Sequence, residues 1–218
     1  MQRAAFLVLL GCAGGSLPTR APPPATLARP LPNQVDAMLG KDRLTALLAM
    51  DQVAATKSPA AGPWLLAVQH DTTRSVDLRA RAAGALLALG YPAGQEFCLG
   101  VLGALLPGSE ARDRALGLPP SERWAFAREL AVRALRQRLL AAGRTPPPFD
   151  ANLGAPDLVR ATQAFATALA SLPRPRPNAS LEVLASSIPN EAPAGFDPMR
   201  WAADRRACLA AATRRPGK

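Results

Sequence analysis

The alternation of apolar and polar positions is helical along most of the chain. In VDLRARAAGALLALG, residues 76 to 90, Leu78, Ala82, Ala85, Leu86 and Leu89 recur at spacings of 4, 3, 1 and 3, one stripe of a 3.6-residue period. Gly90 supplies a C-terminal stop and Pro92 prevents continuation, so a second helix starts there and is expected to present Phe97, Val101 and Leu105 on one face. Two short antiparallel helices joined by a tight turn follow. Further along, Pro120-Ser121-Glu122 opens a long helix running to Ala142, with Phe126, Leu130 and Ala134 on one stripe and Trp124, Ala131 and Leu135 on another. Residues 156 to 172 and 197 to 213 read as two more helices, the last carrying Trp201, while 173 to 196 are broken by prolines and expected to be mostly irregular.

Composition agrees with an all-helical domain. Of the 218 residues, 49% are hydrophobic and only 5% aromatic, and the apolar share is mostly Ala and Leu, which fill closely packed helices rather than sheets. The 23 prolines cluster, with six in residues 18 to 32, three at Pro146 to Pro148 and three alternating at Pro173, Pro175 and Pro177, so they mark boundaries.

The helical pair at 76 to 107 resembles a HEAT-type repeat, through Asp77-Leu78-Arg79, Ala82-Ala83, Ala85-Leu86 and Leu89-Gly90 followed by a proline and a second Leu-rich helix. A shift of 36 residues aligns Arg43 with Arg79, Ala46 with Ala82, Ala49 with Ala85, Met50 with Leu86, Val53 with Leu89 and Leu66 with Leu102, an earlier copy. The resemblance implies helix pairs stacked as a small HEAT-like solenoid over residues 34 to 107. A repeat cannot bury its face alone, so residues 108 to 218 should cap or extend the stack as a helical extension with Pro-rich breaks. Protein partners are what such a resemblance implies.

The N-terminus has a different grammar. Arg3 is followed by the apolar run Ala4 to Leu10 and by the small residues Gly11 to Ser16, the order of an export signal and far too short to span a bilayer. Leu9, Leu10, Gly11 and Cys12 resemble the lipobox of bacterial lipoproteins. That resemblance implies cleavage before Cys12, leaving residues 1 to 11 as signal peptide, and acylation of the Cys12 thiol. Several acyl chains anchor stably where one would not. A plain export signal cut after Ala13 is the alternative. Residues 12 to 33 then read as a Pro-rich tether lifting the domain off a membrane, with the protein at the cell membrane or outer membrane and facing the periplasm or exterior.

Charge changes this picture little. The net charge of +10 rests on 23 Arg against 3 Lys, a bias that a GC-rich genome imposes, so a nucleic-acid partner is disfavoured. A cytosolic Arg-rich repeat protein binding nucleic acid stays as the rival reading. Arg205, Arg206, Arg214 and Arg215 are the candidates for touching anionic headgroups or a partner. His70 is the only histidine, which excludes paired-His metal sites and leaves a catalytic role to one residue beside Asp71; a helix-terminal role for it is preferred. No phosphate loop and no nucleophile elbow occurs, so neither an enzyme, a cofactor nor a small-molecule substrate is expected. Cys98 reads as a core thiol, and pairing of Cys98 with Cys208 is left open.

Overall fold

The structure is a computed structural model that describes residues 26 to 118, 124 to 150 and 154 to 213; Cys12, Arg214, Arg215 and the Pro120-Ser121-Glu122 helix start lie outside these residues. The chain is all-α, with α1 Pro32–Leu39, α2 Arg43–Ala55, a 3-10 turn Pro59–Ala61, α3 Gly62–His70, α4 Val76–Ala88 and α5 Pro92–Leu102 in its first half. The second half holds α6 Glu110–Ala115, α7 Trp124–Ala141, α8 Ala155–Ala170, α9 Leu181–Ser187 and α10 Pro198–Thr213. Local chemistry starts several of them. Asp42 accepts the Thr45 N–H at the head of α2, and Ser180 accepts that of Val183 at the head of α9. Proline enters the first turn of α1, α3, α5 and α8, where its missing N–H costs nothing.

Helix α4 is the hub. It packs against α2, α3, α5 and α7, and ten of its residues are buried, from Val76 to Leu87. Small side chains permit this. Ala80, Ala82 and Ala83 are fully covered, so neighbouring helices approach on every side. The predicted pair is present, α4 and α5 packing on each other across the Leu89–Tyr91 turn. The alignable positions also meet: Ala46, Ala49, Met50 and Val53 of α2 and Ala82, Ala85, Leu86 and Leu89 at α4 share one core cluster. Helix α3, however, packs on α4 and α10 rather than along α2. The first copy is therefore not a hairpin. A second core cluster joins the other side of α4 and α5 to α7 and α8 through Phe97, Val101, Trp124, Leu135 and Phe165.

Three local expectations change, and one holds with a short helix added. Helix α5 ends at Leu102, so Leu105 leaves the Phe97–Val101 face; it sits in the following loop at φ 60° and is 47% exposed. Phe126 is 40% exposed because its ring lies under the Arg43 guanidinium, 5.1 Å away, instead of entering the core. The stretch 173 to 196 is mostly irregular, as expected, apart from the short α9, nucleated by the Ser180 cap and held by the buried Leu184. The segment before α1 is docked rather than free: Leu27 donates its N–H to the Ser187 hydroxyl, Arg29 to the Ser187 carbonyl, and Ser58 donates to the Ala28 carbonyl. Any free tether ends before Leu27.

Candidate functional site

Several of the arginines serve helix ends. The last four carbonyls of a helix lack intrahelical donors and carry the negative end of its dipole, and a guanidinium answers both needs. Arg74 donates to Met38 and Leu39 at the end of α1, at 2.8 and 2.5 Å. Arg79, 2% exposed, reaches the Gln69, Leu116 and Gly117 carbonyls at the ends of α3 and α6 while lying 5.0 Å over the Phe97 ring. Arg112 and Arg128 hold the Gly103 and Ala104 carbonyls after α5, and Arg176 holds Ala212 in α10. Much of the +10 charge is thus spent on the fold. Of the terminal candidates, Arg205 turns to the Ala185 and Ile188 carbonyls of α9, and Arg206, next along α10, is exposed.

His70 ends α3, as its place in the sequence suggests, but its partner is not Asp71. Asp71 accepts from the Thr73 N–H and hydroxyl and from Arg74. Partial burial pushes its carboxyl up, and these bonds outweigh that and hold it below the usual 3.8. His70 Nδ1 instead lies 3.1 Å from Asp204 Oδ1, across the contact of α3 with α10. Asp204 is 3% exposed; its Oδ2 has no hydrogen-bond partner, and Arg200 Nε stands 3.8 Å from it. A carboxylate on Nδ1 orients an imidazole, yet the thiol one turn along α10 is no nucleophile. Burial of Cys208 pushes its pKa far up, as it does for the Tyr91 hydroxyl bonded to it. Cys98 is also a free buried thiol, pushed up to about 12 by burial. The two cysteines belong to different core clusters and form no disulfide.

A groove of about 810 Å³ lies between the start of α5 and the second half of α10. Leu66 and Tyr91 contribute apolar surface, with Pro92 and Ala93 from α5 and Ala207, Ala210 and Ala211 from α10. Alanines leave the trench open where longer side chains would close it. The other edge is the extended strap Pro173–Pro177, in which Pro175 and Pro177 are buried while Arg174 and Arg176 are exposed. Gly90 seats the strap. At φ 88° it adopts a left-handed turn, and a Cβ there would stand 2.1 Å from the Arg176 carbonyl oxygen. Arg174 pairs with Glu96 at 3.0 Å, and Arg138 donates one bond to Pro173 while its Nε is buried without a partner.

A second exposed feature lies on α2. Leu44 and Leu48, one turn apart, are 65% and 53% exposed, and Arg43 beside them pairs with Asp77 and covers Phe126. Among the described residues, no group of three metal-ligating side chains gathers and no helix is long and apolar enough to cross a membrane. The alternating PRPRP run was the one sign of the groove in the sequence; nothing in the sequence pairs His70 with Asp204. No known protein family, curated protein or solved structure matches the chain.

Proposed function

We propose that the chain is an exported, lipid-anchored protein of the bacterial cell envelope that works as a non-catalytic scaffold for a protein partner, built on HEAT-like helix pairs. The location rests on the order Arg3, apolar run, small residues and Cys12. The observation that carries the binding part is the α2 face, where Leu44 and Leu48, one turn apart, lie open to solvent. Adjacent exposed leucines with an arginine, Arg43, beside them have the chemistry of an interface anchor. Arg74, Arg79, Arg112, Arg128 and Arg176 are occupied at helix carbonyls, which takes them away from the rival nucleic-acid reading.

Intact mass spectrometry of the chain from its native membrane fraction, beside Cys12→Ala, tests the location. Cleavage before Cys12 with added acyl mass, absent in the variant, supports it; an unprocessed chain in the soluble fraction overturns it. For the binding face, a photo-crosslinker placed at Gln52 of α2 should give a discrete adduct in the envelope that Leu44→Asp with Leu48→Asp abolishes. An adduct unaffected by the double change places the partner elsewhere.

A further inference from the structure

We infer that the groove between α5, α10 and the Pro173–Pro177 strap binds a free single-chain carboxylate with an apolar tail. The inference does not depend on the scaffold reading. A volume of about 810 Å³ falls in the range of small-molecule sites rather than of protein docking faces. Its wall is apolar along Leu66, Tyr91, Ala93 and the α10 alanines, which suits a hydrocarbon chain.

The polar groups of the groove are three arginines and one carboxylate. Arg138, Arg174 and Arg176 line the groove against the single carboxylate Glu96. Glu96 already shows what Arg174 accepts, since the pair closes at 3.0 Å with the two side chains 56% and 64% exposed, open to exchange with a competing carboxylate. Arg138 lines the same edge, with its guanidinium already bonded to the Pro173 carbonyl. A carboxylate entering beside Arg174 and Arg138 therefore meets two cationic groups able to make charge-assisted bonds. Head and tail of the ligand are thereby assigned: the carboxylate at Arg138 and Arg174, the chain along α10 toward Ala207.

The test uses the full-length chain as Cys12→Ala, so that no attached acyl group competes, and follows the fluorescence of 11-(dansylamino)undecanoate. A saturable rise is expected, reversed by monomeric dodecanoate and not by dodecanol or dodecyltrimethylammonium. Arg174→Met should weaken binding about tenfold, and Glu96→Gln should tighten it about threefold by releasing Arg174. A purely structural disturbance would not move these two exposed positions in opposite directions. Ala210→Phe, at an exposed helical position, should fill the trench and lower affinity at least about tenfold, with an unchanged helical circular dichroism spectrum. Ala207→Leu serves the same end should the larger side chain unfold the protein. Equal binding of the alcohol or the ammonium compound, full binding by both filled variants, or a signal only with phosphatidylglycerol vesicles would each overturn the assignment.

Discussion

Helices α4 and α10 hold their places by different means. Helix α4 packs against α2, α3, α5 and α7, mostly through Ala and Leu side chains, with Asp77 and Arg79 its buried charged residues. Helix α10 buries a single stripe, Trp201, Asp204, Cys208 and Ala212, against α3 and α9. Within that stripe the contacts are individual: Trp201 meets Trp64 edge-on at 4.8 Å and donates its indole N–H to Pro189, and Asp204 holds His70. The packing of α4 is spread over many small side chains, whereas α10 depends on a few named contacts. The groove uses that difference, since one wall is anchored at the hub and the other belongs to the separable helix.

The largest effect is expected from Leu86→Ala in α4. Leu86 is fully buried, so the cavity and lost transfer energy should cost about 3 kcal/mol in urea unfolding. A loss below about 1 kcal/mol would mean that the hub collapses around the gap and that its packing is not tight. Gly90→Ala comes next, at about 2 kcal/mol, because it forces a side chain into a left-handed turn and against the Arg176 carbonyl. Limited proteolysis should then cut first within residues 171 to 180; first cuts elsewhere would mean that Gly90 does not hold the strap.

Asp204→Asn sharpens the comparison, with about 1 to 2 kcal/mol lost from the buried contact with His70. Its signature is local. Cys208 should become reactive to an alkylating reagent while Cys98 stays protected, and equal exposure of both thiols would show that α10 opens only with the hub. The smallest change is Asp71→Asn, about 0.5 kcal/mol after allowance for the exposed half of the site. Its sign is fixed by the lowered carboxyl. A folded-state pKa below 3.8 means that the native charge stabilises the protein above that pH, and that the advantage over the variant disappears as pH falls from 3.8 through the folded value. A difference that persists unchanged to pH 2 would refute that origin.

The helices were legible because their signals are local. The Leu78–Leu89 stripe, the Gly90 stop, the Pro92 start and Trp201 on the final helix are all as read from sequence. Errors came where a local rule met a competing local cap or a distant partner. Leu105 fits the α5 period, but the helix stops at Leu102 and Asp113 accepts the Leu105 N–H in the loop beyond. Phe126 fits the α7 stripe, yet Arg43 from another helix gives its ring a place at the surface. The arginines were the least legible. Their number is visible in the sequence, and their destination at helix carbonyls is not, because a carbonyl acceptor leaves no mark in the residue type that carries it.

The sequence alone determined that the chain is helical, where most helices start and stop, and which residues of α2 and α4 turn inward, since these follow from a 3.6-residue period and from Gly and Pro at their ends. Only the tertiary structure decided that α4 is the hub, that His70 meets Asp204 across 134 positions, and that Gly90 carries a strap which closes a groove over α10. Helix formation is written between residues three or four apart. The choice of which faces meet depends on the combined shape of many small side chains, and Ala- and Leu-rich surfaces admit several pairings until the whole core is packed.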